Sequence, residues 1–195
     1  MTRPVNNEFD IRGINHLALV CKDMARTVDF YQGVLGMPLI KTIELPGGMG
    51  QHFFFDLGNG DALAFFWFPN APDAQPGITN PAGLPMSDKS IVTANATMNH
   101  VAFNVPPEKI EEYHARLKSK GIKATRVVSH DDSPMGASLE ITPTTFVRSI
   151  YFFDPDGICL EFAAWTRELP RDGDVKHAPA RAGDAKTQRV PEPVK

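Results

Sequence analysis

One short phrase occurs twice in this chain, and that repetition limits the folds open to it. Ile14-Asn15-His16-Leu17-Ala18 and Met98-Asn99-His100-Val101-Ala102 are near copies, each opening an apolar run. Phe-Phe-Asp also recurs, at 54–56 and 152–154. The offsets are 99 − 15 = 84 and 152 − 54 = 98, and the difference of 14 residues matches an extra loop in the second half. Two similar halves imply two copies of one supersecondary unit.

Each half reads in the same order. Gly13 to Cys21 is strand-like, and Asp23 is placed to cap a helix in which Met24, Val28, Tyr31 and Leu35 recur at helical spacing. Gly36 and Pro38 end it. Pro38 to Leu45 reads as a strand, followed by a Pro46-Gly47-Gly48 loop. Two more strands, Gln51 to Leu57 and Ala62 to Phe68, flank the hairpin signal Gly58-Asn59-Gly60. In the second half Met98 to Val105 predicts a strand. Pro107 to Lys120 predicts a helix with Ile110, Tyr113 and Leu117 on one side and Gly121 as its cap. Lys123 to Ser129 is a further strand, and a long loop runs from His130 to about Phe146. A closing hairpin within Arg148 to Trp165 turns at Asp154-Pro155-Asp156-Gly157.

The expected fold class is α+β, with two tandem βαβββ modules at residues 13–68 and 98–165. The connector, 69–97, is rich in Pro, Asn, Gly and Ala, and is either a surface linker or a cover over a site. Residues 1–12 read as a polar arm. Residues 166–195 carry almost no large apolar side chain and read as a disordered tail. A net charge of −3 gives no electrostatic footprint for nucleic acid or an anionic membrane. No apolar run approaches the roughly 20 residues of a membrane span, and MTRPVNNEFD lacks the apolar core of a signal peptide. Cys21 and Cys159 are the two cysteines, too few for a disulfide framework. The expectation is a cytoplasmic globular protein with a small-molecule substrate, monomeric or homodimeric.

Chemistry concentrates near the end. Glu161 is the one charge in an apolar strand, and alternation puts it on the face of Cys159 and Ala163, opposite Leu160 and Phe162. A carboxylate there is costly unless something positive meets it, and a metal ion would serve. Two strand histidines, His16 and His100, with Glu161 are the ingredients of a facial triad that leaves metal positions open. His52, His114 and His177 carry no comparable support.

The paired modules, each opened by a strand histidine, and the Asp-Pro-Asp-Gly-x-x-Leu-Glu-Phe ending resemble the vicinal oxygen chelate superfamily. It includes glyoxalase I, extradiol dioxygenases, fosfomycin-resistance transferases and bleomycin-resistance binding proteins. The resemblance covers roughly Gly13 to Trp165. It implies an open, curved sheet around a central divalent metal held by His16, His100 and Glu161. Fe(II) is favoured, with Mn(II), Zn(II) or Ni(II) as alternatives. The position matching Glu161 in the first module is Ala64, so the fourth ligand normal in glyoxalase I is lacking. Ala64, Phe66 and Phe68 are expected to line the substrate pocket, and that apolar, aromatic lining suits a flat substrate.

Tyr151-x-x-Asp-Pro-x-Gly-x-x-x-Glu161 resembles the core of the extradiol signature, in which the Tyr bonds a metal-bound substrate oxygen. The signature's upstream His falls at Thr142 or a neighbour. The acid–base His falls at Asp61, and His130 is a possible replacement. The functional expectation is an extradiol-dioxygenase-like metalloenzyme with Tyr151, and His130 or Asp61, in catalytic roles. A non-redox transferase, isomerase or lyase, and a metal-free binder of an aromatic ligand, are the alternatives.

Overall fold

A computed structural model describes residues 8–169, 174–175 and 177–181, and residues 8–168 lie in one compact unit. Most of the expected arm and tail lies outside the described residues. The first module runs β1 (His16–Cys21), α1 (Met24–Val28), β2 (Leu39–Leu45), β3 (Gly50–Gly58) and β4 (Asp61–Trp67). The second runs β5 (Val101–Asn104), α2 (Ile110–Ser119), β6 (Val128–His130), β7 (Ala137–Ser138), β8 (Val147–Phe153) and β9 (Cys159–Trp165). Their open sheets have the orders β1-β4-β3-β2 and β5-β9-β8-β6-β7. In each, the opening strand lies parallel to the closing one.

Asp23 does cap α1, accepting from the Arg26 amide. The helix expected as far as Leu35 then widens over Asp29–Val34, where Leu35 N–H bonds Phe30 C=O, five residues back. Strand alternation divides each sheet into two faces. Leu17, Leu19, Phe53, Phe55, Leu63 and Phe65 share one apolar cluster with Met24, Phe30 and Tyr31. Ile150, Phe152, Leu160 and Phe162 join it with Ile110 and Leu117. Fully burying a side chain of this size contributes about 1.5–3 kcal/mol. His16, Ala18, His52, Phe54, Ala64 and Phe66 face the other way, as do Ser149, Tyr151, Glu161 and Ala163.

The Asp154-Pro155-Asp156-Gly157 turn shapes the hairpin and also joins the modules. Asp154 Oδ1 accepts from the Asp156 and Ile158 amides, at 2.9 and 2.8 Å. Its Oδ2 accepts from the Tyr31 hydroxyl at 3.0 Å. Asp156 accepts from the Lys22 amide at 2.9 Å, and Asn80 of the connector donates to Gly157 C=O at 2.8 Å. Gly157 sits at φ 85°, and a Cβ there would lie 3.0 Å from the Asn80 amide, so glycine suits both the turn and the contact. Asp154 is 6 % exposed, and burial pushes its carboxyl up to about 6.

Two expectations are corrected. The strand expected over Lys123 to Ser129 is mostly irregular: only Val128–His130 forms a ladder, with Ala124 bridging Phe152, and the loop beyond contains β7. Too few alternating apolar residues precede Val127 to hold a longer strand against the sheet. The Phe-Phe-Asp match is also one residue out of register. Phe55 pairs with Leu63 as Phe152 pairs with Leu160, so β3-β4 and β8-β9 are offset by 152 − 55 = 97, and Leu57 stands where Asp154 stands.

Candidate metal centre

Parallel pairing of β5 with β9 sets Ala102 beside Glu161 and brings the preceding His100 over the carboxylate. His100 Nε2 lies 3.0 Å from Glu161 Oε2. Glu161 is 5 % exposed, and the buried Ser149 hydroxyl donates to its Oε1. Burial pushes the carboxyl up, but the hydrogen bonds from His100 and Ser149 outweigh it and hold it below the ordinary glutamate value.

The other imidazole nitrogen is locked. His100 Nδ1 donates to Asn99 Oδ1 at 2.9 Å, and the amide's orientation is set by its nitrogen, which donates to Ile91 C=O at 2.7 Å. His16 repeats this, with Nδ1 2.8 Å from Asn15 Oδ1. In both copies Nε2 is left for another partner, the arrangement that supporting residues give metal-binding histidines. The duplicated Asn before each His carried this signal in the sequence, and its role was missed there.

Tyr151 stands opposite Glu161 in the β8-β9 ladder. Its hydroxyl lies 3.0 Å from His130 Nε2, and its ring meets the His100 ring edge-on at 5.7 Å. Burial, then the charge of Glu161, raises the phenol well above its ordinary value, so it stays protonated. His130 is therefore the imidazole that reaches this tyrosine. The hydroxyl of Thr142, at the position matching the signature's upstream histidine, donates to Asp131 at 3.0 Å. Burial, then Glu161, pushes the Cys159 thiol up to about 11, leaving it a neutral neighbour.

The remaining expected residues lie elsewhere. Asp61 begins β4 and lines a cleft of about 590 Å³ with Asp56, Leu57, Arg116 and Lys120. His16 is exposed on the other sheet, 5.5 Å from the Phe54 ring. Among the described residues no group of three or more His, Cys, Asp or Glu is spaced to hold a metal ion. One chain thus brings His100 and Glu161 together and leaves His16 apart. Ala64 is fully buried, while Phe66 and Phe68 stack at 5.3 Å and 10°. His52, set aside in the sequence, stacks on Phe66 at 3.6 Å and 14°, with its Nε2 buried and unpartnered. Burial, then nearby His16, lowers its pKa.

An imidazole Nε2 and a carboxylate oxygen facing each other at 3.0 Å are separated by a contact that a proton or a divalent cation can bridge. The donor set therefore fits a borderline divalent metal. Known proteins agree with the architecture. The chain is 26% identical over 151 residues to an uncharacterised protein, YwkD, of Bacillus subtilis, covering 77% of this chain and 95% of that one. It is 25% identical over 158 residues to the fosfomycin resistance protein FosX of Listeria monocytogenes, covering 81% and 93%. A glyoxalase family protein from Enterococcus faecalis superposes with a TM-score of 0.54 at 23% identity, covering 80% of this chain and 99% of that one. A family model matches residues 13–162, and the chain belongs to the glyoxalase/bleomycin resistance protein/dioxygenase superfamily.

Proposed function

We propose that the chain is a divalent-metal-dependent enzyme that holds a small substrate through two neighbouring oxygens and moves a proton on it. The observation that carries this reading is the His100–Glu161 pair, with Nδ1 of the imidazole locked and Tyr151–His130 alongside. His100 and Glu161 hold the metal, and His16 supplies the third ligand. Because His16 stands apart from that pair and carries the same Asn lock, the reading assigns it to a second copy. A two-fold dimer would then set the first module of each copy against the second module of the other. When bound, the metal stabilises negative charge on substrate oxygen.

The chain's own residues supply the rest. Ser149 holds one carboxylate oxygen so that the other faces His100. Tyr151 is a protonated donor. When His130 Nε2–H bonds its oxygen, the phenol O–H is free to point at substrate and donate a hydrogen bond to the oxygen that takes up charge. Oxygen-independent transfer, isomerisation or lyase chemistry is the first reading, supported by the likeness to FosX and to a glyoxylase I of Arabidopsis thaliana. Extradiol oxygenation with Fe(II) is the second, favoured by the aromatic surface of Phe54, Phe66 and Phe68 and by the Tyr151–His130 contact.

The test is anaerobic purification, metal titration, and mixing of two single variants. His16→Ala and Glu161→Gln should each lose metal binding, and mixing them should restore it, because a mixed dimer rebuilds one intact site. Failure of the mixture would sink the shared site. Oxygen uptake with catechols by the iron-loaded protein would select the second reading over the first.

A further inference from the structure

The 97-residue offset places His52 at the position of Ser149, Phe54 at Tyr151, Ala64 at Glu161 and Phe66 at Ala163. In the second module Ser149 serves a carboxylate. In the first, Ala64 takes the acid's place, and the nitrogen that now stands in the serine's position has nothing to bond. Buried polar atoms without a partner are rare in native proteins, and each asks for a reason. Slackness is not the reason here. The His52 ring is held by Phe66 at 3.6 Å and by Phe54 at 4.3 Å. Lys41 pairs with Phe54 across β2-β3, so it stands on the same face, exposed at the rim.

We propose that His52, with Lys41 at the rim, binds an anionic oxygen of the substrate, and that the substrate is an aromatic carboxylate whose ring packs on Phe54 and the edge of Phe66. The ligand's carboxylate takes the role that Glu161 fills in the other module. A neutral His52 donates its Nε2–H to it once the entering ring displaces the side chains that cover that nitrogen, and Lys41 adds the charge. The inference rests on reading this face as the substrate surface, and it does not depend on the metal.

The experiment titrates benzoate and its neutral isostere benzamide into the EDTA-treated full-length chain, followed by NMR. Removing metal keeps the outcome separate from the metal site, which the variant mixture tests. Benzoate should bind about tenfold tighter than benzamide, the scale of a charge-assisted hydrogen bond. His52→Phe should weaken benzoate several-fold more than benzamide, His52→Gln should retain part of the preference, and Lys41→Met should weaken benzoate alone. Equal binding of the two probes, or a benzoate affinity unmoved in His52→Phe and Lys41→Met, would overturn the proposal. Should His52→Phe fail to fold, the other two variants decide it.

Discussion

The two modules are built on one backbone pattern and present opposite surfaces. On the second, Ser149 bonds Glu161 and His130 bonds Tyr151, which stands opposite Glu161 in the ladder. On the first, the matching rows hold Ala64, His52 and Phe54, with Phe66 and Phe68 stacked alongside. What both retain is an Asn-locked imidazole on the opening strand. Duplication therefore kept the imidazole and let the last two strands diverge, one toward an acid and a phenol, the other toward flat apolar rings. On the proposed reading, a ligand between such surfaces would be gripped on one side and acted on from the other.

Restoring the acid to the first module is the harshest way to break the comparison. Ala64→Glu puts a carboxylate at a fully buried position among Phe54, Phe66 and His52. It should cost about 3–5 kcal/mol, as an uncompensated buried charge does. Urea denaturation measures this, and a neutral outcome would mean that His52 can serve an acid as Ser149 does.

The module junctions differ in the same sense, since Asp154 is buried and polar where its counterpart Leu57 is apolar. Asp154 has its carboxyl raised to about 6 from an ordinary 3.8. The folded chain thus binds more protons than the unfolded one between pH 4 and 6, so this group's contribution falls as pH rises through that window and is constant above it. Across it, the wild type should lose about 2–3 kcal/mol relative to Asp154→Asn. Parallel pH–stability curves would show that the buried carboxyl titrates normally.

Asn99→Ala and Ser149→Ala free the imidazole and the carboxylate that face each other, and should each lower metal affinity about 10–100-fold in calorimetric titration. Asn15→Ala should do the same if His16 is a ligand, and an affinity left intact there would confine the metal to the second module. The smallest effect is His52→Phe on stability. Removing an unpaired buried nitrogen should leave the fold unchanged or more stable by about 1 kcal/mol in thermal unfolding.

The duplication, the hairpin signals and the strand periodicities made the fold legible, because apolar alternation fixes which side chains share a face. That His100 and Glu161 meet on one face was readable for that reason. What alternation leaves open is which face of one module meets which of another, so the position of His16 relative to the pair was beyond it. His52 went unread because its significance lies in what Ala64 fails to provide across the strand. The Phe-Phe-Asp repeat misled by one residue, since chemically similar neighbours conceal a register that only cross-strand pairing resolves.

The bond between Tyr31 and Asp154 spans 123 residues of sequence. During synthesis at about 5–20 residues per second, the phenol leaves the ribosome roughly 6–25 s before its acceptor does. For that interval the first module's helix can pack, but its buried hydroxyl has no acceptor, and closure of the two halves waits on the final hairpin. A ribosome stalled before Asp154 would therefore carry a first module whose Tyr31 hydroxyl and Lys22 amide still lack the acceptors that the last turn brings.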